Sequence, residues 1–165
     1  MNAALLSPPR IVPMTVAMVD AVADVEALAY SFPWSRGNFI DSLAAGYLAE
    51  VLADPAGRVI AYQVAMPGVD EMHLLNLTVA PVHWGQGHAR HLLDRLARRA
   101  RDMCTTAVWL EVRESNERAR RIYERYGFTE VGLRRGYYPA ARGAREDAVV
   151  MSLQLPSPGD ALGLD

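Results

Sequence analysis

Gly85 and Gly87 stand one residue apart, between an alternating run and a helical one. Ahead of them Leu75, Leu77 and Val79 alternate with Asn76 and Thr78, as on a half-buried strand. Ala80-Pro81 stops that strand, because proline brings no N–H to a ladder. Behind them Ala89, Leu92, Leu93, Leu96, Ala97, Ala100 and Met103 recur at helical spacing. The product is a helix start with little side-chain bulk and unpaired N–H groups, which suits an anion, most naturally a phosphate. A nucleotide P-loop needs Lys-Ser or Lys-Thr after its last glycine, and a dinucleotide fingerprint needs a small residue where Arg90 stands, so both fit poorly. A tight strand–helix turn without a ligand remains open.

Other residues carry proton chemistry. Glu111 shares a predicted strand face with Trp109, and Tyr123 lies two helical turns from Asn116 on one predicted helix face. A carboxylate and a phenol can take and give a proton. Their bland alternatives are a carboxylate paired with Arg113 or a cross-strand base, and an amphipathic core tyrosine. Tyr126 competes with Tyr123 by chemistry. His83, His88 and His91 invite a metal, but no carboxylate or thiol nearby completes a set, so no metal site is expected. Arg90, Arg95, Arg98, Arg99 and Arg101 read mostly as a solvated helix face, with Arg90 alone near the glycine turn. Cys104, the single cysteine, excludes an internal disulfide and is expected to be a small buried hydrophobe.

The rest of the chain must position these groups. Its 165 residues, 51% hydrophobic and 22% charged, suit one domain with a real core. A net charge of -2 gives no basic field for nucleic acid. No signal peptide is visible, and the apolar run from Val16 to Tyr30 carries Asp20, Asp24 and Glu26, so no membrane partner is expected and the cytoplasm is the expected location. The domain is expected over 10–155, with flexible termini at 1–9 and 156–165.

A short edge strand is predicted over Arg10–Met14, then a helix from Met18 to Tyr30 with Val19, Val22, Ala23, Leu28 and Ala29 toward the core. Pro33 breaks it, and Ser35 caps a second short helix ending at Gly46. Tyr47–Ala53 and Val59–Met66 form a hairpin around Asp54-Pro-Ala-Gly57. A strand over Glu71–Val79, a helix over 87–103 and a strand over Ala107–Arg113 follow. A helix capped by Ser115 or Asn116 then runs to Gly127, and Phe128–Tyr138 and Arg145–Leu155 are the last strands. The order β-α-α-β-β-β-α-β-α-β-β implies an α/β or α+β fold, not a regular doubly wound one.

With these pieces in place the chain resembles the GCN5-related N-acetyltransferases, or GNAT superfamily. In these a strand–turn–helix with the pattern Gln/Arg-x-x-Gly-x-Gly/Ala holds the pyrophosphate of acetyl-CoA. The matching stretch is Trp84-Gly-Gln-Gly87-His-Ala89, with Trp84 in place of Gln or Arg. Within the superfamily it looks like the RimI group of ribosomal-protein alanine N-acetyltransferases. The matching residues are Phe32-Pro-Trp-Ser35, Trp109-Leu-Glu-Val-Arg113, Ser115-Asn116, Tyr123-Glu124, Gly127-Phe128, Arg134-Arg135, Tyr137-Tyr-Pro139 and Arg145-Glu-Asp147. Between Pro139 and Arg145 the loop is one residue longer than usual.

The resemblance implies a single GNAT domain, a central mixed and mostly antiparallel sheet flanked by about four helices. It implies transfer of acetyl from acetyl-CoA to the α-amine of an N-terminal alanine, that of ribosomal small-subunit protein 18, with Glu111 as base and Tyr123 as acid. Leu77, Thr78, Val79, Gly85, Gln86, Gly87, His88, Ala89, Arg90 and Asn116 would hold the co-substrate. Phe32, Pro33, Trp34, Tyr137 and Tyr138 would wall the peptide slot, although Phe32 and Trp34 suit a hydrophobic plug between the first two helices nearly as well. A monomer is favoured. A small-amine acetyltransferase and a non-catalytic acyl-CoA sensor stay open as alternatives.

Overall fold

The computed structural model describes residues 7–157. Within them the chain forms β1 (Arg10–Pro13), α1 (Val19–Ala29), α2 (Arg36–Ala44), β2 (Leu48–Ala53), β3 (Val59–Pro67), β4 (Glu71–Val79), α3 (His88–Asp102), β5 (Ala107–Arg113), α4 (Glu117–Tyr126), β6 (Thr129–Pro139) and β7 (Arg145–Gln154). This is the predicted order. The strands make one mixed sheet in the order β1-β2-β3-β4-β5-β7-β6. Strands β4 and β5 pair in parallel, while β1–β2, β2–β3, β5–β7 and β6–β7 are antiparallel. The flexible termini expected at 1–9 and 156–165 fall mostly outside the described residues.

Contacts divide the chain into two units. One takes the chain through Ala65 together with Asn76–Leu92, and the other takes Met66–Leu75 and the chain from Leu93 onward.

In the first unit Asp54 makes the β2–β3 turn by accepting the Ala56 and Arg58 amides at 2.9 and 2.8 Å. Ser35 opens α2 through a reciprocal capping box with Asn38. Leu52, Ile60, Ala61, Val79 and Leu92 form a buried cluster, with Ile11, Leu77 and Ala89 packed against it. Helix α1 departs from expectation. Leu28 is 77% exposed, whereas Glu26 is only 2% exposed. Val19, Val22 and Glu26 lie at i, i+3 and i+7, so helical geometry puts the carboxylate on the buried face and turns Leu28 away.

In the second unit Val108, Leu110 and Val112 of β5 are buried, as are Met72, Leu74, Val149 and Met151 on the neighbouring strands. Leu93, Leu96, Ala97 and Ala100 of α3 are buried as well. That helix ends at Asp102, leaving Met103 49% exposed. Cys104 is exposed rather than buried. It takes the left-handed conformation, φ 57°, that closes the helix, with Thr105 N–H donating back to Ala100 C=O at 2.9 Å. Helix α4 starts on Asn116, whose side chain accepts the Ala119 amide, and ends on Gly127 at φ 124°.

Candidate active site

The glycine turn lies in the first unit. Gly85 and Gly87 both have positive φ, 77° and 83°, and a Cβ built on either meets no atom within 4 Å. Glycine is therefore required by backbone conformation, and the space beside the turn is open. Helix α3 begins directly after it at His88. Gln86 and Arg90 are exposed, and His88 and Ala89 half-buried. Burial pushes the His88 imidazole below its usual range, helped by the charges of His83 and His91. The turn thus pairs an open N-terminal helix end with bare backbone, a fit for a pyrophosphate. Trp84 donates from Nε1 to the Val79 carbonyl at 2.9 Å and so ties the turn to the end of β4.

A buried polar network holds that strand end. Glu26 accepts from Asn76 Nδ2 at 3.1 and 3.2 Å, from the Trp34 amide at 3.3 Å, and from the Tyr62 hydroxyl. Asn76 Oδ1 in turn accepts from Thr78 Oγ1 at 2.8 Å, and the Tyr30 hydroxyl lies 2.8 Å from the same Oγ1 and donates to the Leu77 carbonyl at 3.3 Å. The expected co-substrate strand, Leu77 to Val79, is therefore braced through side chains from α1, β3 and the loop after α1. Burial dominates in raising the Glu26 carboxyl above its usual range, against the lowering effect of its donors. Trp34 packs on Phe39 at 5.2 Å, as a plug would, while Phe32 and Pro33 are exposed.

Glu111 lies in the second unit, between His73 and Arg134. Its Oε2 is 2.6 Å from His73 Nε2, with only 6% of the glutamate side chain exposed. Its Oε1 lies 3.4 Å from Arg134 Nε but is buried without a hydrogen bond. The His73 ring stacks on Trp109 at 3.6 Å and 10°. Arg134 sits over both Trp109 and Tyr137, at 5.7 and 5.5 Å. Burial raises the Tyr137 phenol, and the Glu111 charge adds to it. Tyr123 is buried with its ring on Phe128, as a core tyrosine would be, and Tyr126 donates to Asp94 Oδ1 at 2.9 Å. Asn116 uses its amide oxygen as the α4 cap.

Sequence reasoning singled out neither His73 nor Glu26 for the site. His73 was visible only as an ordinary strand residue. The parallel register that sets it opposite Trp109 is a tertiary fact.

The Arg145-Glu146-Asp147 run builds the β6–β7 hairpin that carries Tyr137 and Tyr138. Arg145 donates to the Gly136 and Tyr137 carbonyls, both at 2.9 Å, and Asp147 accepts the Gly136 amide at 2.8 Å. Glu146 accepts from the Ser115 amide at 2.8 Å and Arg113 at 3.0 Å. Burial would raise the Glu146 carboxyl, but Ser115 and Arg113 together hold it below its usual range. Arg113 also caps the Tyr138 ring at 4.5 Å. The loop between Pro139 and Arg145 closes as a tight turn, with Arg142 and Gly143 both left-handed at φ 58° and 72°.

Comparison with known proteins gives the family. Residues 19–128 match the model of the Acetyltransferase (GNAT) family. This chain belongs to the GNAT family. The GNAT chain is 36% identical over 132 residues to the [ribosomal protein bS18]-alanine N-acetyltransferase of Haemophilus ducreyi, covering 80% of this chain and 90% of that protein. It is 37% identical over 135 residues to the Escherichia coli K12 protein of the same name, covering 82% and 90%. The crystal structure of the ribosomal-protein-S18-alanine N-acetyltransferase from Escherichia coli superposes with a TM-score of 0.82 at 34% identity, covering 94% of this chain and 99% of that one. GNAT enzymes use acetyl-CoA, and the open glycine turn at the start of α3 fits its pyrophosphate. No helix among the described residues is long and apolar enough to cross a membrane.

Proposed function

We propose that the protein transfers acetyl from acetyl-CoA to the α-amine of an N-terminal alanine, that of ribosomal small-subunit protein 18. The relatives' shared activity supports the substrate. The observation that carries the chemistry is Glu111, one oxygen held by His73 and the other buried without a hydrogen bond. Such an oxygen, ion-paired with Arg134 at 3.4 Å but not hydrogen-bonded, can still accept, and an ammonium or amine is a fitting donor.

In this reading acetyl-CoA supplies the acetyl group as a thioester. Gly85, Gln86, Gly87, His88, Ala89 and Arg90 hold its phosphates, and the backbone of Leu77 to Val79, with Asn116, orients the rest. Glu111 Oε1 takes a proton from the α-amine as the new C–N bond forms. An α-amine titrates near 8, so a modest base suffices. The Tyr123 hydroxyl gives its proton to the sulfur as the C–S bond breaks. Phe32, Pro33, Trp34, Tyr137 and Tyr138 line the peptide's path. The protein acts as a monomer and needs no metal. Ribosomal proteins are made in the cytoplasm, so that location belongs to the same reading.

The test offers the enzyme an alanine-initiated ribosomal peptide, its N-formylated copy and spermidine, with mass spectrometry of the products. Acetylation of the free peptide alone is expected. Transfer to spermidine but not to the free peptide would place the substrate class among small amines.

A further inference from the structure

We infer that His73 is the positioning residue for Glu111, an inference that rests on Glu111 acting as the base. Three observations in the second unit converge on it. The β4–β5 register sets His73 opposite Trp109, two residues before Glu111 on the same strand face. The imidazole lies flat on the Trp109 indole, 3.6 Å between centroids and 10° between planes, so the ring plane is held. From that plane Nε2 reaches Glu111 Oε2 at 2.6 Å, with 12% of the His73 and 6% of the Glu111 side chain exposed.

The consequence is a division of labour between the two carboxylate oxygens. Nε2–H donates to Oε2 and fixes the carboxylate's rotation. Oε1 then has a set direction, and it is the oxygen that carries no hydrogen bond. Arg134, 3.4 Å from Oε1, is 48% exposed, whereas His73 is stacked on Trp109 and only 12% exposed, so His73 is the more firmly held of the two. A carboxylate free to rotate would offer either oxygen at any angle, and proton transfer depends on alignment. His73 moves no proton in this role. It donates the same hydrogen bond before and after Oε1 is protonated.

His73→Phe keeps the stack on Trp109 and removes the donor. Turnover should fall on the order of ten- to a hundred-fold, the usual worth of one hydrogen bond to a charged group, with the acetyl-CoA KM unchanged. His73→Gln restores an N–H donor and should recover most of that loss. In an E111Q background His73→Phe should add little, because its effect passes through Glu111. Wild-type turnover in His73→Phe, a His73→Gln as slow as His73→Phe, or losses that multiply in the double variant would each overturn the inference. E111Q alone isolates the other reading: if it turns over like wild type, the base assignment itself fails and takes this inference with it. A slow E111Q with multiplying losses removes only His73.

Discussion

Arg145 donates from Nη2 to the Tyr137 carbonyl at 2.9 Å, and its Nε holds the adjacent Gly136 carbonyl. One arginine thus fastens the backbone that presents two aromatic rings. Arg145→Ala frees that backbone without touching Glu111 or the glycine turn. The peptide KM should rise by about ten-fold, the scale of one or two charged hydrogen bonds discounted for solvent exposure, and the acetyl-CoA KM should hold. Steady-state kinetics with each substrate varied in turn decides it. Equal rises in both KM values would show a global defect.

Gly87 has φ 83° with open space where a side chain would stand. Gly87→Asp introduces backbone strain and a negative charge beside the N–H groups of α3. Coenzyme A affinity should weaken by about ten-fold or more. Titration calorimetry on a variant with wild-type circular dichroism is the measurement, and an unchanged Kd would remove the turn from the phosphate site.

Tyr123 packs its ring against Phe128 at 5.5 Å. Tyr123→Phe keeps that ring, so coenzyme A binding should change little. Turnover should drop by about a hundred-fold or more if the hydroxyl supplies the sulfur's proton. Wild-type turnover would leave Tyr123 as a core residue and make water the proton source to test, since Tyr126 is engaged with Asp94.

Glu26 is raised from its usual 4.5 chiefly by burial. The folded protein therefore holds this proton more tightly than the unfolded chain. Its contribution to stability is fully present below the unfolded value and is lost as pH rises through the folded one. Glu26→Gln removes the titration, although its amide also faces the Asn76 and Trp34 donors and should lower Tm throughout. The wild-type advantage in Tm should be largest near pH 4.5 and shrink toward pH 7. A pH-independent gap between the two melting curves would contradict the raised value.

Most of the fold is legible in the chain because its punctuation is local. Pro33, Ser35, Asp54-Pro-Ala-Gly57, Asn116 and Gly127 each act on residues within a turn of themselves, and each boundary they mark is found. The glycine turn is legible for the same reason. Glu26 is not, since burying a carboxylate depends on Tyr62 and Asn76, 36 and 50 residues away. Its spacing from Val19 and Val22 was nevertheless the available signal. Cys104 misleads because composition speaks for burial while the helix end demands a left-handed residue. The partners of Glu111 follow from strand order, which no single stretch encodes.

Strand β6 lies at the rim of the sheet, and its pairing with β7 slips twice, between Glu130 and Gly132 and between Arg134 and Tyr138. A regular eleven-residue edge strand with Val131 and Leu133 exposed would otherwise be a template for another chain's backbone. Each slip bends the strand and breaks the regular row of N–H and C=O groups, and Glu130, Arg134 and Arg135 add charge along it. The irregular stretch that carries Tyr137 and Tyr138 thereby offers an incoming strand no straight edge to pair with.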